Sequence, residues 1–399
     1  MARDLRGVGE WGRAEERHSV LSAMLDVFRL RQYFDVAVRV RQVASGLKED
    51  VAFAGLTLRA LAPLPFEHAV SPPDPPFGPL RRRPAGALAG KRVGVAATGG
   101  SGALASVVGV ARALEEAGTA PAVISVCSGS ALFGFPLAAG LDAAAVAEFV
   151  LSLEPADYVD VDWPGLGTAL LRRGRGFAGL LRGDRLEASY RRLLGDMTLA
   201  ELPIPAYAPI WSIEHNRIEF LGPRTHPTLP VARAVRMAVA LPLFFDPVGT
   251  GEASWCDGGL VDIFPVRPLA DIEDPCDVVL AVNGFYPPSF EGEDASGWRQ
   301  RRLPILEIAS QVRTCQQIEL ARANLARLRG CSEVHLLEPV PYRVVQGIGF
   351  YRQFLTTRQW PSFMRAGRAD AWRAIREIER RSAAGTSRDG EMAGDSSVA

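Results

Sequence analysis

Apolar residues come in short bursts along most of the chain, each bounded by glycine, proline or small polar residues. Residues 91–97, KRVGVAA, have the branched, apolar content of a buried strand. A glycine-rich turn, residues 98–102, follows. Val107, Val110, Leu114 and Glu116 then fall at helical spacing, up to Gly118. Val123 and Ile124 open a second buried strand, and Ala131, Leu132, Phe133, Leu137 and Ala138 carry a second helix. Strand, glycine turn, helix and strand make a βαβ unit, which requires a parallel sheet. Further strands are predicted over residues 207–213 and 277–284, and helices over 231–240, 301–328 and 361–380. Residues 141–200 read as helical with a Gly/Arg-rich interruption, LLRRGRGFAGLLRGDRL, and Asp184 as the cap of a helix over 185–194.

The two ends have a different texture. Residues 16–47 mix apolar and charged positions at helical spacing, with arginines and acids together on the polar side, as in a segment that packs on the domain behind it. Eight prolines between Pro63 and Pro84 exclude regular elements there. From Ser382 onward the chain is small and polar, the composition of a disordered tail. These breaks divide the chain into an N-terminal helical extension with a Pro-rich linker (1–90), an α/β domain (91–380) and a tail (381–399).

Composition narrows the function. The 399 residues, 48% of them hydrophobic, allow a large core, and the 45 basic and 45 acidic residues cancel. Overall charge therefore gives no reason to expect a nucleic-acid partner. Arginines do crowd residues 172–192, where a solvated helix face is the simplest explanation. The five cysteines have neither CxxC pairing nor close Cys/His spacing, so no metal or cofactor is expected and the thiols read as reduced and cytosolic. The charged N-terminus lacks a signal-peptide pattern, and no run reaches the ~20 apolar residues of a spanning helix. The expectation is a cytoplasmic protein, at most peripheral to a membrane.

Candidate chemistry concentrates in residues 123–140, VISVCSGSALFGFPLAAG. A serine held between a strand end and a helix N-terminus is the nucleophile-elbow arrangement, which makes Ser128 the candidate nucleophile. Backbone amides of Gly99, Gly100 and Ser101, at the end of the neighbouring strand, are placed to hold an oxyanion. Shifting the elbow by one residue would instead offer Cys127, with small residues on either side. Near residue 257, Asp-Gly-Gly is a common turn that gains interest only from its context.

Taken in order, GGSGAL, GVARALEEAG, VCSGS and DGG resemble the patatin-like phospholipases, a family of lipid acyl hydrolases. The similarity is strongest over residues 91–286. It implies a three-layer α/β/α fold around a central, mostly parallel sheet. Carried over by position, Ser128 matches the nucleophile, Asp257 the group that takes its proton, and residues 99–102, ending at Gly102, the oxyanion loop. Gly129, Gly258, Cys127 and Arg236, which matches a family arginine, are supporting positions. Val126 and Ser130 stand where the elbow usually has glycines, and Ala103 stands where the loop usually carries Arg or Lys. A Ser-Asp-His order would need His335, which reads as structural.

The resemblance implies a serine lipid acyl hydrolase working through a Ser-Asp dyad and an acyl-enzyme, on a lipid ester at a membrane or lipid surface. Two alternatives are a patatin-fold lipid- or protein-binding module with little turnover, and an acyltransferase using the same dyad.

Overall fold

The computed structural model describes residues 75–165, 178–251, 253–294, 296–300, 304–345, 350, 353 and 357–394. The N-terminal extension, most of the Pro-rich linker, and Arg172, Arg173 and Arg175 lie outside these residues. The chain forms two compact units, residues 55–294 with 314–399 and residues 1–54 with 295–313. In the smaller unit the described residues are a turn, Trp298–Gln300, and the first turns of a long helix. The larger unit carries the sheet.

Its first strand, β1 (Val93–Ala97), leads through the glycine turn into helix α1 (Ser106–Ala117). Then come β2 (Val123–Ser125), α2 (Ala131–Ala138) and α3 (Ala143–Ser152), with Asp142 capping α3 through Ala145 N at 2.8 Å. The order continues β3 (Gly179–Leu181), α4 (Asp184–Leu194), β4 (Ala206–Ser212), β5 (Arg217–Leu221), α5 (Val231–Ala238), β6 (Leu243–Phe245), β7 (Val248–Gly249) and β8 (Ser254–Asp257). It closes with β9 (Val278–Val282), α6 (Pro304–Arg329), β10 (Glu333–Leu337) and α7 (Trp360–Gly394). Helix α7 runs past residue 380, through the stretch whose composition suggested a tail; Arg380, Arg381, Ala383 and Ala384 are all good helix formers.

The sheet runs β10-β9-β1-β2-β4-β8-β7, with β5 also on β4. From β10 to β4 every pairing is parallel, and the β5, β7 and β8 pairings are antiparallel. Alternation along the strands sorts side chains into two layers. Val93, Val95, Ile124, Val126, Val278 and Leu280 face a core shared with α1, α2, α3, α5 and α7. Ala96, Val123, Cys127, Val279 and Ala281 face the other core, built with Phe264, Leu269, Phe290 and Ile318, Ala321 and Leu325 of α6. The result is a three-layer α/β/α domain.

The junction that sets the site is β4. Its first residues pair with β2 (Ser125 beside Tyr207) and its last three with β8 (Asp257 opposite Ile210). The C-terminal ends of β2 and β8 therefore meet beside the middle of one strand. Sequence-distant residues 128 and 257 become neighbours.

On the outer face, α1 and α7 cross where both carry glycine. A Cβ on Gly109 would overlap the carbonyl oxygen of Met364, and one on Gly367 the carbonyl oxygen of Ser106. One turn or two further on, buried Glu116 accepts from Arg368 Nε (2.9 Å) and Trp372 Nε1 (2.8 Å). The described arginines of the basic stretch are engaged in local contacts. Arg191 pairs with Glu187 at 2.9 Å and Arg192 with Asp157 at 3.1 Å, while Arg185 donates to Ala156 O and Val159 O.

The glycine crossing leaves no room for one methyl group. Gly109→Ala is expected to lower stability by about 1–3 kcal/mol, the usual cost of overpacking, and the midpoint of a urea melt checks it.

Candidate active site

Strand β2 continues in extended form through Val126 and Cys127 (φ −140°, ψ 137°). The alternation persists as well. Val126 turns into the α1/α2 side, where Cγ1 lies 2.5 Å from the Cβ position that Gly134 leaves empty, and Cys127 turns to the opposite side. Ser128 then breaks the pattern with φ +51°, a left-handed conformation that costs a non-glycine residue roughly 1–2 kcal/mol. Ser130 holds this turn shut. Its hydroxyl accepts from Cys127 N and donates to Cys127 O, both at 2.8 Å.

Ser128 is half-buried, while the residues on both sides of it are fully buried. The glycine turn after β1 lies directly against it. A Cβ on Gly99 would lie 3.2 Å from Ser128 Cβ, and one on Gly129 would overlap the carbonyl oxygen of Gly100. Gly99, Gly100 and Gly129 thus let two backbone segments touch.

The loop is tied at its start. Thr98 Oγ1 accepts from Gly284 N at 3.1 Å, and Gly99 N donates to Ile263 O at 2.9 Å. The Gly99 amide is therefore occupied. Among the described residues no protein acceptor takes the N–H of Gly100 or Ser101, so these two are the donors left for an oxyanion. Gly102 begins the short turn Gly102–Ala105 leading to α1, with Ala103 fully buried in it.

Asp257 enters from β8, 1% exposed. Its Oδ1 accepts from Gly259 N at 2.7 Å, and Oδ2 is buried with no hydrogen-bond partner. Burial pushes the carboxyl up to about 7; the Ser128 hydroxyl, facing it, and the Gly259 amide pull in the opposite direction. Gly258 fits flush on β4, since a Cβ there would lie 2.6 Å from the Pro209 carbonyl carbon. A Cβ on Gly259 would lie 2.8 Å from Cys127 Sγ, so the thiol packs against the turn after Asp257.

Cys127 is fully buried and its thiol donates to Asp262 O at 3.5 Å. Burial, followed by the negative charges of Asp257 and Asp262, pushes that thiol well above its ordinary range. Such a thiol is a poor nucleophile, and it sits in ordinary extended backbone behind the half-buried serine.

Other predicted positions lie elsewhere. Arg236 is buried in α5, where it donates to Arg182 O and Asp246 O (2.6 Å) and stacks on Phe245 at 5.1 Å. It ties β3 to β6 rather than reaching the serine. His335 sits on β10 with Glu333 at 3.0 Å, and β9 and β1 separate that strand from β2. Among the described histidines none contacts Ser128 or Asp257; His18 and His68 lie outside the described residues.

Three contacts carried no motif. Ile263 accepts the Gly99 amide, Gln317 on α6 donates to Gly259 O (3.2 Å) and Leu260 O (2.9 Å), and Asn324 donates to Asp262 at 3.0 Å. Together they anchor the turn that follows Asp257.

Residues 96–270 match the model of the patatin-like phospholipases. Through this segment the chain is similar to that family. An uncharacterized NTE family protein of Mycobacterium tuberculosis is 27% identical over 218 residues, covering 53% of this chain and 33% of that protein. One from Mycobacterium bovis is 24% identical over 107 residues, covering 27% of this chain and 28% of its own length. The chain thus spans about a third of the length of these curated relatives. Among solved structures, VipD from Legionella pneumophila is similar at 15% identity and a TM-score of 0.43, covering 80% of this chain and 73% of that one. The type III effector ExoU is similar at 15% identity and a TM-score of 0.37, with 75% and 54% covered. Among the described residues no helix is long and apolar enough to cross a membrane.

The burial of Asp257 has a sign that can be checked. Its folded pKa lies above the ordinary 3.8, so its contribution to stability is full below pH 4 and is lost as pH rises toward 7. Asp257→Asn keeps the Gly259 bond and removes the charge. Its stability relative to the parent chain is expected to rise across pH 4–7, at ~1.4 kcal/mol per unit of pKa shift, and to stay level above that. Thermal melts at pH 4 and pH 8 read the difference.

Proposed function

We propose that this domain is a serine lipid acyl hydrolase that uses a Ser128–Asp257 dyad, its substrate a lipid ester met at a membrane or lipid surface. The observation that carries the reading is the half-buried Ser128 at positive φ, facing a buried carboxylate on one side and two unoccupied loop amides on the other. The family match supports the lipid class of substrate.

In this scheme Ser128 Oγ attacks the ester carbonyl carbon while its proton passes to Asp257. The carbonyl oxygen, now negative, takes hydrogen bonds from the Gly100 and Ser101 amides. The bond to the leaving oxygen breaks, and the alcohol departs with the proton that Asp257 held. Water then gives a proton to Asp257 and attacks the acyl-serine, the fatty acid leaves, and Ser128 recovers its hydrogen. A carboxyl near pH 7 in pKa is matched to this exchange, because it can take and return a proton at neutral pH.

The test is intact-protein mass spectrometry after a long-chain fluorophosphonate, with hydrolysis of a soluble ester followed alongside. A single adduct is expected, lost in Ser128→Ala, slowed about a thousandfold or more in Asp257→Asn, and retained in Cys127→Ala. An adduct that survives Ser128→Ala ends the scheme, and no adduct on folded protein favours a binding module. Product formed only when an alcohol acceptor is supplied would make the enzyme an acyltransferase.

Asp257 must be ionised to accept the proton. The labelling rate is therefore expected to climb about tenfold per pH unit below 7 and to level off above it. A rate flat from pH 5 to 9 would remove Asp257 from the role of base.

A further inference from the structure

The oxyanion loop is tied at its start by Thr98 and Gly99, but among the described residues its far end has no backbone clamp of that kind. What meets it is the first residue of α7, beyond the family-matched segment. A Cβ on Gly102 would overlap Trp360 Nε1, would lie 2.6 Å from Cε2 and would stand 2.5 Å from Gln353 O. Trp360 Nε1 donates to that same carbonyl at 3.0 Å. Gly102 therefore rests flush on an indole locked by its own hydrogen bond.

The same ring reaches the nucleophile. Trp360 meets Phe133 edge-on, with centroids 5.3 Å apart and planes at 76°. Phe133 is fully buried on α2, five residues after Ser128. Trp360 itself is 6% exposed. Behind it, α7 is held against α1 by the glycine crossing, which gives the indole a fixed base.

We propose that Trp360 is a positioning residue, a brace that sets the Gly100 and Ser101 amides at their distance from Ser128 by holding Gly102 and Phe133 at once. The proposal rests on the hydrolase reading above for its catalytic consequence and on the packing alone for its structural one. Donors aimed at a developing oxyanion lose their effect when displaced by an ångström, and a misplacement of that size costs about a hundredfold in rate. Binding of the ester itself depends less on those amides, because their bonds strengthen only in the transition state.

The experiment compares the full chain with Trp360→Ala, Trp360→Phe and Trp372→Phe. Trp372→Phe is the structural control: it removes one donor from Glu116 at the α1–α7 contact and leaves the loop alone. Hydrogen exchange read by mass spectrometry and kinetics with p-nitrophenyl butyrate are measured on each. Trp360→Ala is expected to speed exchange across residues 98–104 and to lower kcat about a hundredfold with KM within about threefold. Trp360→Phe keeps a ring against Phe133 and is expected to recover kcat to within about tenfold. Trp372→Phe is expected to lower the melting temperature while leaving loop exchange and kcat unchanged.

A folded Trp360→Ala with parent-like loop exchange and kcat overturns the brace, as does a Trp372→Phe that loses kcat equally. Should Trp360→Ala not fold, Trp360→Leu and Trp360→Phe carry the same readings. If the parent chain neither hydrolyses the ester nor labels at Ser128, the hydrolase reading fails separately and the exchange of residues 98–104 alone decides the brace.

Discussion

Gly129 lies against the carbonyl oxygen of Gly100 with no space for a side chain between them. That contact joins the elbow to the oxyanion loop, and the architecture of the larger unit serves to keep it. The serine must turn through positive φ to project between the two segments, and Gly99 must be bare because Ile263 Cδ1 lies 2.6 Å from where its Cβ would be. The loop's continuation, α1, is fixed from outside by α7 through a second bare-backbone contact at Gly109 and Gly367. Interiors packed this tightly transmit a displacement rather than absorb it. Two glycine contacts, one before α1 and one in its first turn, therefore bear on the same distance.

The replacements at the elbow find their compensation within the same few residues. Valine at 126 would crowd a turn built only from its local geometry. Here its side chain points into the helix layer, and Gly134, one helix further along, leaves the volume it fills. Serine at 130 supplies what glycine cannot, a hydroxyl bonded to both the N–H and the C=O of Cys127. The backbone freedom given up at two positions is offset by packing at one and hydrogen bonding at the other. Within residues 126–130, positive φ remains only at Ser128.

How much of this was legible depended on whether the governing contact was local. Strands β1, β2 and β9 announce themselves by runs of β-branched residues, and the strand-to-helix turn around Ser128 by its small residues. The approach of Asp257 was legible only through the resemblance, because β8 joins β4 antiparallel where β2 leaves off, a pairing that periodicity cannot encode. The occupied Gly99 amide was invisible for the same reason: its acceptor, Ile263, is 164 positions later and has no side-chain signature. Arg236 matched a family position, yet the three carbonyl bonds it makes lie on the β3–β6 side. Trp360 lies one residue before the helix that the pattern predicts over 361–380, and its contact with Gly102 is a property of the tertiary fold.

The electrostatics of the site follow from what surrounds Asp257. Its carboxylate has a backbone amide on one oxygen and the Ser128 hydroxyl nearby, and no cation acts on it strongly enough to set its titration. The loop position that resembles a family cation is Ala103, buried and neutral. Arg236, a cation that the matched segment buries, donates to the carbonyls of residues 182 and 246. With no positive charge to favour ionisation, desolvation governs, and the carboxyl rises toward neutrality. An arginine at 103 would favour ionisation and make Asp257 a weaker base. Its absence therefore leaves the loop to present backbone amides alone and leaves Asp257 with a raised pKa; in the proposed scheme, the burden of stabilising charge falls on the placement of the loop.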